Sequence, residues 1–138
     1  MEIVTALLCD SASTREGLLH VLGGGITRLF APEIPGAVGV TLAAMARMDE
    51  EELDLPHEVN FHVEHNGEIV QQGMGGLQVN RPDRLEDGER LLVPLVIPIG
   101  VPITSYGRYA VVVDIEGARQ EVEFWVLHPD EQVLPPIG

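Results

Sequence analysis

Hydrophobic and polar positions alternate with a period of two over much of this chain. In "EVNFHVEHNGEIVQQG", Val59, Phe61 and Val63 take one side, Asn60, His62 and Glu64 take the other, and the run turns at Asn66-Gly67. That is the pattern of a strand with one covered face. Asn-Gly tolerates positive φ at both central positions, as a type I′ hairpin turn requires. "GRYAVVVDIEGARQEVEFWVL" repeats the theme. Tyr109, Val111, Val113 and Ile115 share a face, the chain turns near Glu116-Gly117, and Val122, Phe124 and Val126 return. Turn signals at 15–17, 35–36, 66–67, 87–88, 105–107 and 116–117 separate short runs of Val, Ile and Leu. This rhythm predicts strands at 2–9, 18–30, 37–47, 57–65, 68–79, 90–98, 107–115 and 118–127. Eight strands in a chain of this length pack better as two layers than as one open sheet. The expected fold is all-β: a two-sheet antiparallel β-sandwich of about eight strands with Ig-like or jelly-roll-like topology. Residues 1–138 form one domain, with 128–138 as a C-terminal tail.

Three segments strain this pattern. "TLAAMARMDEEEL" has good helix formers, but its acids gather where a helix dipole is negative. The alternation of Val38, Val40 and Leu42 favours a strand over 37–47, followed by an acidic loop at 49–55 with room for one helical turn. Pro94, Pro98 and Pro102 cannot donate to a ladder, which places 90–98 at a sheet edge or leaves it partly irregular. Gly23-Gly24-Gly25 invites comparison with a phosphate loop, but "ITRLF" follows with no helix cap and no lysine. A bulge or sharp bend within one strand over 18–30 is expected instead.

The strands "IVTALLC" and "AVGVTLAAMA" are apolar or small on both alternating faces. Strands covered on both sides read this way. A second cover is required, either the C-terminal segment or another subunit, and a homo-oligomer, a dimer by preference, is expected.

Charge narrows the partners. The 138 residues carry 22 acids against 8 bases, a formal net charge of -14. Every base is an arginine, and they are dispersed, so no patch favours nucleic acid or an anionic membrane. No window has the apolar length of a membrane span, and the N-terminus lacks the basic flank of a signal peptide. The single Cys9 lies in an apolar run and reads as a small buried hydrophobe in a reducing, cytoplasmic setting.

Candidate chemistry is sparse. His57, His62, Glu64 and His65 are residue types that ligate zinc or iron. On a strand His62 and Glu64 share a face while His57 and His65 point the other way, so a metal would need a further ligand from elsewhere. The plainer reading is a solvated strand face. The acidic run at 49–54 lacks calcium-loop spacing, and no nucleophile elbow surrounds any serine. Trp125, Tyr106 and Tyr109 lie near the last hairpin, where they could stack on a sugar or, more simply, fill a core.

The chain also resembles a known group of sequences. In "ALLCDSASTREGLLHVLGGGITRLFAPEIPG", Cys9-Asp10, Gly17, His20 to Gly25 and Phe30 to Pro35 are similar to the opening of small bacterial proteins classed only as a domain of unknown function. "GRYAVVVDIEGARQEVEFWV" resembles their closing hairpin. The resemblance implies a β-sandwich and no reaction, cofactor or catalytic residue. A non-catalytic binding or self-assembly module is the leading expectation, with a possible protein partner. The alternatives are a metal-dependent small β-barrel enzyme using His62 and Glu64, and a carbohydrate- or virion-associated accessory domain.

Overall fold

A computed structural model describes residues 1–131, so most of the expected tail lies outside the described residues. The chain is built almost wholly of strands: β1 (Glu2–Cys9), β2 (Ser11–Arg15), β3 (Leu18–Leu22), β4 (Arg28–Phe30), β5 (Gly36–Met48), β6 (His57–His65), β7 (Glu68–Leu77), β8 (Leu91–Ile103), β9 (Gly107–Ile115) and β10 (Ala118–Leu127). One sheet has the order β1-β5-β8, the second β4-β10-β9-β6-β7, and β2 pairs with β3 alone. All pairings are antiparallel except that of β4 with β10. The two larger sheets face each other as the expected sandwich. Their inner residues, among them Leu8, Leu42, Ile99, Val63, Val111 and Phe124, form one buried cluster.

Turn chemistry sets the hairpins. β2–β3, β6–β7 and β9–β10 are each joined by two residues, Glu16-Gly17, Asn66-Gly67 and Glu116-Gly117, all at positive φ. This backbone twist matches that of the flanking strands. β5 is a 13-residue strand from Gly36 to Met48, so alternation wins over helix propensity there. The acids after it form a single 3-10 turn at Glu50–Glu52. Its charges are not simply solvated: Glu50 pairs with Arg81, and Asp49 with Arg90 at 2.7 Å.

The proline strand is longer than expected, 91–103, and runs along the sheet edge. Pro94, Pro98 and Pro102 stand opposite Met45, Thr41 and Ala37 of β5. A spacing of four gives all three the same ladder phase, so each nitrogen faces away from β5 and no pairing bond is lost. The arrangement also blunts the edge against a further strand.

Two expectations need correction. Residues 18–30 are not one bent strand. They divide into β3, which pairs with β2, and β4, which pairs with β10 in another sheet. Residues 11–15, which lie outside the expected strands, form one, β2. The glycines do bend the chain, at Gly23 (φ 63) and Gly25 (φ 91), and the N–H groups of Gly25 and Ile26 both donate to Leu8 O at 2.9 and 3.0 Å. The bend is sharp enough to change sheets because three successive glycines carry no side chain to resist it.

The outcome is a third layer. The β2–β3 hairpin contacts β5 and β8 and lies over the outer face of the three-stranded sheet. Val21 and Leu7 both close on Gly24, where a Cβ would lie 3.0 and 3.4 Å from them. Thr41 and Ala43 on that outer face are thereby buried. The cover demanded by the doubly apolar strands is supplied by the chain's own hairpin. Replacing Gly23 by alanine forces a Cβ into the left-handed region and to 2.8 Å from Asp10 Cγ. Gly23→Ala is expected to lower stability by about 2 kcal/mol, against about 1 kcal/mol for Gly17→Ala, whose Cβ would meet nothing within 4 Å. Urea denaturation of both variants checks this, and equal midpoints would refute the special role of Gly23.

Candidate functional site

Strand β6 carries most of the candidate ligands. His57, Val59, Val63 and His65 are buried on its inner face, while Glu58, Asn60, His62 and Glu64 look outward. His62 and Glu64 do converge, with Nε2 2.7 Å from Oε1. His57 and His65 sit on the opposite face at the two ends of the strand, about 26 Å apart at 3.3 Å per residue. Among the described residues no group of three or more His, Cys, Asp or Glu is placed to hold a metal ion.

His65 is a buried polar side chain of the sandwich interior. It stands opposite Tyr109 in the ladder, and the two rings stack at 3.8 Å and 4°. Tyr109 in turn stacks on Phe124 at 5.5 Å, giving a three-ring row across β6, β9 and β10. His65 Nδ1 lies 2.8 Å from Arg108 O, and since a carbonyl only accepts, this nitrogen carries a proton. Nε2 is 2.6 Å from Ser105 Oγ and 3.3 Å from Asn66 Nδ2. The Tyr109 hydroxyl donates to Ser105 O at 2.6 Å, and burial pushes its phenol above the usual range. No sequence signal pointed to Ser105, which stands 40 residues from His65 in the loop between β8 and β9.

The three aromatic candidates do not share a surface. Tyr109 is 1% exposed and faces the core, whereas Trp125 is 45% exposed. Trp125 and Arg108 are ladder partners on the outer side of the sheet, and Arg28 flanks Trp125 from β4. Tyr106 is half-buried, donates to Ala31 O at 2.8 Å and meets His128 edge-on. Cys9 is fully buried, its Sγ 3.5 Å from Thr41 O, and burial followed by the Asp10 charge raises its thiol pKa. That is the setting of an inert cysteine.

A surface missed by the strand pattern is the outer face of the β2–β3 hairpin. Ser11, Ser13 and Arg15 stand opposite Leu22, His20 and Leu18. Leu18 is 61% and Leu22 71% exposed. A concavity of about 550 Å³ lies over Ser11, Ser13, Arg15, His20 and Leu22.

His57 is a structural pin. Its Nε2 donates to Glu52 O at 2.6 Å and its Nδ1 meets Glu116 Oε1 at 2.9 Å. Acceptors at both nitrogens favour the imidazolium. The Glu52 carbonyl, and then the Glu116 carboxylate, raise the His57 pKa against the opposing effect of burial. The cation ties the 3-10 turn to the β9–β10 hairpin. A raised folded pKa means this stabilisation is complete below the unfolded value, near 6.5, and fades as pH rises through the folded value. His57→Gln is expected to lower stability by about 1 kcal/mol at pH 6, with a smaller deficit at pH 9. Thermal melts of both proteins at the two pH values measure it, and a deficit that does not shrink refutes the charged pin.

Among the described residues no helix is long and apolar enough to cross a membrane. No curated protein matches the chain. A family model, DUF6941, described as a family of unknown function, matches residues 4–126, from within β1 to within β10. With both terminal hairpins and the intervening sandwich inside that match, the protein belongs to this family.

Proposed function

We propose that the protein is a binding module that associates with a second copy of itself through the outer face of the β2–β3 hairpin. One observation carries this reading: Leu18 and Leu22 stand 61% and 71% exposed on a hairpin anchored from beneath. Charge selects the occupant. The chain as a whole carries -14, but residues 11–22 hold one acid, Glu16, and one base, Arg15. A pairing that puts these neutral faces together keeps the acidic remainder of each copy apart. A two-fold contact repeats the same leucines on both sides.

Burying four leucines offers about 6–8 kcal/mol gross, much of which association entropy offsets. A reversible, concentration-dependent dimer is therefore expected rather than an obligate one. Sedimentation equilibrium up to on the order of 100 µM is expected to show monomer–dimer exchange that Leu22→Glu abolishes without changing the melting temperature. A monomer throughout that range overturns the reading.

A second reading rests on Trp125, the only tryptophan in the chain. Its exposed ring lies between Arg28 and Arg108 on adjacent strands. This supports a carbohydrate contact in which the indole stacks on a sugar face and an arginine takes a carboxylate. Titration with polygalacturonate, read by the single tryptophan's fluorescence, is expected to saturate for the natural protein. The response is expected to weaken at least tenfold in Arg28→Ala, and a flat titration removes this reading.

A further inference from the structure

We propose that Ser105 is a nucleophile activated by His65, and that it acts on carboxylic esters. This goes beyond the binding role and does not rest on it. The argument begins with the imidazole. The Arg108 carbonyl, 2.8 Å from Nδ1, fixes the proton on that nitrogen. In this neutral tautomer the Nε2 lone pair points at Ser105 Oγ, 2.6 Å away. A nucleophile within hydrogen-bond reach of a base, with the base oriented by a third group, is the arrangement that activates a serine.

The support around the pair is rigid. The Tyr109 ring lies flat against the imidazole at 3.8 Å. The same Tyr109 holds the Ser105 carbonyl through its hydroxyl at 2.6 Å. Gly107 packs against the imidazole edge, its notional Cβ 3.6 Å from His65 Cε1, at a φ of 129 that glycine alone adopts readily. Tyr109, Gly107 and the Arg108 carbonyl are positioning groups. His65 is 6% exposed and Ser105 half-buried, so the base is shielded while the serine keeps access to solvent.

The chemistry of the pair defines the substrate class: a base-activated hydroxyl attacks an acyl carbon, and a carboxylic ester supplies one together with an alcohol leaving group. In the reaction, Ser105 Oγ bonds to the ester carbon and passes its proton to His65 Nε2. The carbon–alkoxy bond breaks, and the leaving alcohol takes that proton. Water, deprotonated by His65, then cleaves the acyl-serine, releasing the carboxylic acid and restoring the serine.

The test uses the whole chain and an alkyl fluorophosphonate. The Ser105 oxygen displaces fluoride from phosphorus and leaves a stable adduct. Peptide mass spectrometry is expected to find one adduct per chain, on Ser105, and none in Ser105→Ala. His65→Gln is expected to slow labelling by about 10²-fold or more. If Ser105 serves only to tie the loop to β6, the natural protein takes no label and Ser105→Ala shows only a lower melting temperature. That result overturns the proposal. So does an adduct on another serine, or His65→Gln labelling at the natural rate.

Discussion

The arrangement of this protein turns on one constraint: β5 is apolar on both faces. Val40, Leu42, Ala44 and Ala46 face the opposing sheet, while Thr41 and Ala43 face outward and are equally buried. A strand with no polar face cannot form the outer wall of a two-layer sandwich, because water would meet apolar surface along its length. The β2–β3 hairpin resolves this by folding over the three-stranded sheet. The glycine bend exists to let the chain leave that hairpin and enter the other sheet at β4. The hairpin therefore displaces the problem outward. Its inner side covers β5, and its outer side carries Leu18 and Leu22 into solvent.

The opposite sheet distributes its polar groups differently. Its central strands β6, β9 and β10 present a row of inward rings, His65, Tyr109 and Phe124, ending at a loop whose serine completes the histidine's hydrogen bonds. At the far end of β6, His57 bonds to a carbonyl and a carboxylate. Both inward histidines are satisfied, as buried polar groups must be. They differ in kind. Acceptors on both sides make His57 a charged fastener, whereas the hydroxyl at one nitrogen and the carbonyl at the other leave His65 a base beside an alcohol.

Much of this was legible in residue patterns. The inward set Tyr109, Val111, Val113 and Ile115, the Asn66-Gly67 turn, the edge placement of the prolines and the burial of Cys9 all follow from local chemistry. So does the convergence of His62 and Glu64 on one strand face. Less legible was "SASTR", a strand in which only Ala12 is partly buried, and whose pairing with β3 is one more two-residue hairpin. Its signal is Glu16-Gly17, which shares the turn geometry of Asn66-Gly67 and Glu116-Gly117.

The sequence by itself determined which residues point in and out along each strand, because side-chain alternation is a property of the extended backbone alone. It also determined that the doubly apolar strands need two covers. The tertiary structure decided what the second cover is and which distant residues meet. That Ser105 stands against His65, that Arg28 and Arg108 flank Trp125, and that Tyr109 lies inside while Trp125 lies outside are consequences of sheet register. Register is fixed by many weak side-chain contacts summed over whole strands, and no short stretch of sequence carries that sum.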